Sequence, residues 1–170
     1  MEEIMKAKFG LFILTIFILS GCTLQKWQRD FQIQNTNTEK RVLIITHNLY
    51  GSQSILTEYI SQKIFADIVN LQAIESIDIH HYDIILINDT PINDEPTKEM
   101  VTFLQQYDFI NQRVSTYWIG AMSNQTYETN LKKYISSSCI INGLGFNDDE
   151  ISEKELIDEF IERWINSLFN

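Results

Sequence analysis

The hexapeptide Asn48-Leu49-Tyr50-Gly51-Ser52-Gln53 places four side chains able to donate hydrogen bonds, those of Asn48, Tyr50, Ser52 and Gln53, around one glycine. It follows the unbroken apolar run Val42-Leu43-Ile44-Ile45 and leads into a segment where Ile55, Tyr59, Ile60 and Ile64 share roughly one helical face. A loop between a buried strand and a helix receives the helix's first free N–H groups, and the helix dipole adds positive potential there. The chemistry expected is capture of a phosphate-like anion by backbone amides and neutral donors, without Lys or Arg. Gly51 would let the backbone approach such a ligand closely.

Other reactive residue types are less well placed. His47 stands just after the first strand, where it could touch a phosphate or donate a proton. His80 and His81 precede the third strand, at the opposite end of the sheet, and read as surface residues. Gly51-Ser52-Gln53-Ser54 lacks the G-x-S-x-G nucleophile elbow, and no metal-ligand spacing is present. Cys139, beside Ile140 and Ile141, reads as a small buried hydrophobe on a strand.

The 170 residues carry a formal charge of −10, which disfavours nucleic acid and anionic lipid head groups as partners. A partner protein with a basic surface suits this charge, and so does plain solubilisation. The chain opens with a charged start and an apolar stretch from Phe9 to Leu19 that is too short to span a bilayer, a secretory signal pattern. Its close, Leu19-Ser20-Gly21-Cys22, resembles the lipobox of bacterial lipoproteins. That resemblance implies removal of residues 1–21, lipidation of Cys22 and a lipid-anchored, extracytoplasmic place in the bacterial cell envelope. Lys6 and Lys8 would form the positive region if translation began at Met5. Only Cys22 and Cys139 exist, so an acylated Cys22 leaves no disulfide within the chain. Residues 22–40, rich in Gln, Asn and Thr, read as a polar tether, and 41–170 as one domain.

The remaining elements alternate. Strands are predicted at Asp67 to Leu71, Tyr82 to Ile87, Val114 to Ile119 and Cys139 to Ile141, with helices near Thr97 to Gln106 and Thr126 to Ile135. Pro96, after Asp94 and Glu95, suits a helical first turn. A last helix follows a Ser152/Glu155 capping-box pattern and repeats Leu156, Ile157, Phe160, Ile161, Trp164, Ile165 and Leu168 at helical spacing, which makes Trp164 a core residue. Such alternation implies a parallel α/β sheet with right-handed crossovers.

From Arg41 onward the chain resembles short-chain flavodoxins and their exported, lipid-anchored relatives. Asn48 to Gln53 falls on the family's T/S-x-T-G-x-T phosphate loop, with only the glycine identical. Leu56-Thr57-Glu58-Tyr59-Ile60 is similar to the family's I-A-E-Y-I helix opening, and Tyr82-Asp83-Ile84-Ile85 with Thr90-Pro91-Ile92 to its Y-D-x-I and T-P-I segments. Ile141-Asn142-Gly143-Leu144 and Trp164 match its closing segment. The resemblance implies a flavodoxin-like three-layer sandwich, a five-stranded parallel sheet in order 2-1-3-4-5, and FMN in the crevice between strands one and three. Asn48, Leu49, Tyr50, Gly51, Ser52 and Gln53 would then hold the phosphate, while Thr90, Pro91, Ile92, Asn93, Gly120, Ala121 and Met122 border the ring.

Two departures weaken that expectation. Asn93 and Asp94 stand where relatives carry Trp or Tyr after T-P-I, and aromatic contacts worth about 0.5–1.5 kcal/mol each imply binding weakened about three- to a hundredfold. Asp89, in place of a usual glycine, would with Asp94 and Glu95 put negative charge near the ring and lower its reduction potential. Two functions stay open: an FMN-binding electron carrier or reductase of a small acceptor at a membrane surface, or a flavodoxin-fold binding module that has lost FMN.

Overall fold

The computed structural model describes residues 31–34, 40–47, 49–147, 150 and 154–170. The signal segment, Cys22, Asn48 and Ser152 lie outside the described residues. Strands β1 (Phe31–Gln32), β2 (Val42–Thr46), β3 (Asp67–Asn70), β4 (Ile84–Asp89), β5 (Arg113–Ile119), β6 (Cys139–Ile140) and β7 (Leu144–Phe146) form one sheet. Their order is β1-β3-β2-β4-β5-β6, with β7 also on β5, and every pair except β1 with β3 is parallel. Counted from β2, this is the expected 2-1-3-4-5 sheet, its fifth strand in two pieces.

Strands buried on both faces need apolar residues at consecutive positions, and β2 and β4 have them. Leu43, Ile45, Val69, Ile85, Ile87, Val114 and Trp118 face one side, where helices α2 (Lys98–Gln106) and α3 (Asn124–Lys132) bring Met100, Phe103, Leu104, Tyr127 and Leu131. Val42, Ile44, Ile84, Leu86, Tyr117 and Ile119 face the other, against α1 (Gly51–Ile64) and α4 (Lys154–Phe169). These are the three layers of the sandwich. Trp164 is buried there, and its indole N–H donates to Ser115 Oγ at 3.0 Å and to the Asn142 carbonyl at 3.1 Å.

Several expectations are corrected. The inner face of α1 is Gln53, Leu56, Thr57, Ile60, Ser61 and Ile64, whereas Ile55 is exposed. Three polar residues in the buried stripe concealed its period. Thr57 is accommodated because its hydroxyl meets the Tyr117 hydroxyl at 2.8 Å. Residues 31–34 of the supposed tether lie along the sheet: Phe31 pairs with Val69, and the Gln34 N–H donates to the Asp67 carboxylate at 2.8 Å. This short antiparallel strand covers an edge that would otherwise offer unpaired backbone groups. Between β3 and β4 run only 3-10 turns, Leu71–Ser76 and Ile79–His81, so the sheet face beside β3 is thinly covered. Cys139 is exposed rather than buried.

The fifth strand breaks because its pairing gains one residue between Val114–Ile140 and Tyr117–Leu144, a bulge around Asn142 and Gly143. A Cβ at Gly143 would stand 2.4 Å from Thr116 Oγ1, 2.5 Å from Trp118 Cζ3 and 2.8 Å from the Thr116 carbonyl oxygen. Gly143→Ala is therefore expected to cost about 1–3 kcal/mol through overpacking, read as a lower urea midpoint with unchanged slope.

Candidate functional site

Three loops leave the C-terminal ends of β2, β4 and β5, which are neighbours in the sheet: residues 47–50, 90–97 and 120–123. In the first, Tyr50 is extended and its side chain does not cap α1, so it leaves the first-turn N–H groups uncovered. Gly51 follows with φ +54°, and a Cβ there would meet nothing within 4 Å. The backbone is thus open to a ligand at the point where the dipole is most positive. Ser52 is half-buried, and Leu49 packs partly against the α1–α4 core.

Gln53 does not serve this opening. Its amide nitrogen donates to the Asp89 carbonyl at 3.2 Å, and its oxygen accepts from Asn88 Nδ2 at 2.7 Å. The side chain is buried and ties α1 to β4. Of the expected side-chain donors, Gln53 is bonded inside the fold, Asn48 lies outside the described residues, and Tyr50 and Ser52 remain beside the backbone N–H groups.

The second loop makes a tight hairpin in which Ile92 and Glu95 exchange backbone hydrogen bonds at 3.0 Å each. Its central residues, Asn93 (φ 53°) and Asp94 (φ 60°), both take the left-handed conformation that two-residue hairpins require and that Asn and Asp tolerate. The turn suits Asn and Asp at these two positions better than Trp or Tyr. The Asp94 carboxylate accepts the Ser123 N–H at 3.0 Å, joining the second loop to the third. Asn130 Nδ2 adds bonds to the Asp94 carbonyl at 3.0 Å and to Glu95 Oε1 at 2.9 Å. Thr90 and Pro91 are half-buried, and Asn93 is exposed at the tip.

Asp89 does not put charge at the mouth as expected. Its carboxylate is buried and accepts the Thr97 N–H at 2.9 Å, the Thr97 hydroxyl at 2.7 Å and the Tyr127 hydroxyl at 3.0 Å. Burial raises its pKa above the ordinary 3.8, the hydrogen bonds from Thr97 and Tyr127 opposing the shift. With Asp94 also bonded inward, Glu95 is the exposed carboxylate of this loop.

In the third loop Gly120 has φ +86°, and its N–H donates to the Phe146 carbonyl at 2.9 Å. Ala121 is buried, which takes it out of the solvent-facing wall, whereas Met122 is exposed. Each loop thus presents one large apolar side chain to solvent: Tyr50 at 66%, Ile92 at 60% and Met122 at 77%. As a candidate hydroxyl donor Tyr50 was singled out by the sequence, but its exposure alongside Ile92 and Met122 at one end of the sheet was not. Tyr117 and Trp118 are core residues, the indole N–H donating to Asn124 Oδ1 at 2.8 Å. His47 belongs to another surface: its Nε2 lies 3.9 Å from Glu99 at the start of α2. Among the described residues no group of three His, Cys, Asp or Glu side chains could hold a metal ion, and no helix is long and apolar enough to cross a membrane.

A parallel sheet in this order, with its loops gathered where the direction of winding reverses, defines the flavodoxin-like class of α/β proteins. No protein-family model and no curated protein matches the sequence. Solved structures do match in fold. A candidate flavoprotein from Bacteroides eggerthii, 15% identical, superposes with a TM-score of 0.56 over 78% of this chain and 99% of its own. The Trp repressor binding protein of Bacillus subtilis, 12% identical, gives 0.55 over 73% and 96%. The apo-form flavoprotein of Lactobacillus acidophilus, 18% identical, gives 0.53 over 69% and 98%. The chain adopts the flavodoxin-like fold.

Proposed function

We propose that this protein binds FMN at the three-loop mouth and acts as a flavodoxin-like electron carrier, or reduces a small acceptor, while held at a bacterial membrane surface by lipid on Cys22. The observation that supports the reading is a helix N-terminus left open at Gly51, with Tyr50, Ile92 and Met122 exposed on the three loops at that end of the sheet. A flat apolar ring with a phosphate tail suits both halves of that arrangement. The backbone N–H groups of Gly51 and Ser52, with the Ser52 hydroxyl, would take the phosphate. Tyr50, Ile92 and Met122 would border the ring, Met122 through its polarisable sulfur. Bound FMN would supply the one- and two-electron chemistry that no side chain here provides.

The protein's own part is preorganisation. Gln53 fixes α1 to β4, and Asp94 fixes the second loop to the third, so the walls stand in place before a ligand arrives. The structures of flavoproteins that share this fold support the choice of cofactor. The rival reading, a binding module without FMN, draws on Gln53, whose amide is bonded inside instead of facing a phosphate. Mixing the full-length chain with FMN separates the two. Flavin fluorescence should be quenched and visible absorbance should stay with the protein through gel filtration; free, fully fluorescent FMN would leave the binding module.

A further inference from the structure

The thin cover beside β3 leaves a cleft of about 330 Å³ between the 3-10 turn Leu71–Ser76 and α2, lined by His47, Leu71, Ile74, Glu75, Glu99, Phe103 and Tyr107 among others. Its volume is at the lower end of small-molecule sites. The cleft opens on the sheet face opposite α1, because Leu71, Ile74 and Phe103 belong to the α2–α3 core. Gly51 begins α1 on the other face, and the cleft meets that opening only through His47 in the loop after β2.

We propose that this cleft binds a small organic cation with an apolar, ring-bearing body. The floor is Leu71, Ile74 and two aromatic rings, Phe103 and Tyr107, whose centroids lie 4.7 Å apart. Phe103 is buried and Tyr107 half-buried, so the floor offers apolar area for a ring-bearing body. At the rim stand two exposed carboxylates, Glu75 and Glu99, and among the described residues no Lys or Arg lines the cleft. Glu99 Oε2 lies 3.9 Å from His47 Nε2, within ion-pair reach but beyond hydrogen-bond length, and its side chain is exposed. Two carboxylates over an apolar floor repel anions and give a neutral hydrocarbon no orienting contact. A polyamine would match the rim but not the floor. A chain of formal charge −10 also raises the local concentration of cations.

The test titrates the full-length chain, without FMN, with 2-phenylethylamine and with 3-phenylpropionate, which are similar in size and opposite in charge. Backbone amide shifts in residues 71–76 and 98–107 report binding. The amine should move these signals saturably, and the carboxylate should bind about tenfold more weakly or not at all. The double variant Glu75→Gln, Glu99→Gln should lose about tenfold in amine affinity with its urea midpoint unchanged. Equal binding of the two compounds, no shifts in these segments, or full amine affinity in the double variant would each overturn the proposal. So would amine binding that appears only after Trp27→Ala. The chain enters β1 from the end of β3 that borders the cleft, so that result would make the chain's own Lys26-Trp27-Gln28-Arg29 segment the occupant.

Discussion

Asp89→Ala is expected to lower the free energy of unfolding by about 3 kcal/mol, the largest stability effect of any single polar change at the mouth. The substitution strands the Thr97 N–H, the Thr97 hydroxyl and the hydroxyl of the fully buried Tyr127. Thr97 is also the N-cap of α2, accepting from the Met100 N–H at 3.3 Å, so the loss would spread into that helix. Asp89→Asn should cost less, since its oxygen can still accept and its amide can donate to either hydroxyl oxygen. The pH dependence has a definite sign. A carboxyl whose pKa is raised in the folded state stabilises most below its ordinary value of 3.8, and this contribution disappears as pH rises through the folded value. Urea unfolding across that range should therefore show the deficit of Asp89→Asn shrinking as pH increases, and a deficit that grows would show that the folded carboxyl is not held above 3.8.

Gly51→Val should abolish FMN binding, with at least about a hundredfold loss in affinity by fluorescence quenching, because its branched side chain would stand over the N–H groups proposed to receive the phosphate. The space around the Gly51 Cα is open, so the stability cost comes from backbone conformation: φ +54° is unfavourable for an L side chain by about 1–2 kcal/mol. Gly51→Asn separates the two effects. Asn tolerates the left-handed region, so that variant should unfold close to the parent while still binding FMN more weakly. Undiminished affinity in both variants would place the cofactor elsewhere.

The fold was legible where burial on two faces leaves no choice of residue. The continuous apolar runs of β2 and β4, and the α4 stripe through Ile157, Ile161, Trp164 and Leu168, required no tertiary knowledge. What was not legible depended on distant partners. Thr57 looks like a surface residue until Tyr117, sixty positions later, supplies its hydrogen bond. Phe31 sits in a polar stretch and becomes a strand only because β3 has an edge to cover. At the site, the loop positions could be read but the side-chain directions could not. Gln53 and Asp89 turned inward because Asn88, Thr97 and Tyr127 offered partners there, whereas Tyr50 and Met122 turned outward.

Because β1 runs antiparallel to β3, the polypeptide arrives at Phe31 from the end of the sheet that bears the three loops. Any leash upstream of Phe31 is therefore fastened on the same pole as the mouth, and whatever grips the leash aims that pole toward itself. Were the chain held by lipid on Cys22 and FMN bound at the mouth, as proposed, electrons would be exchanged on the anchored side.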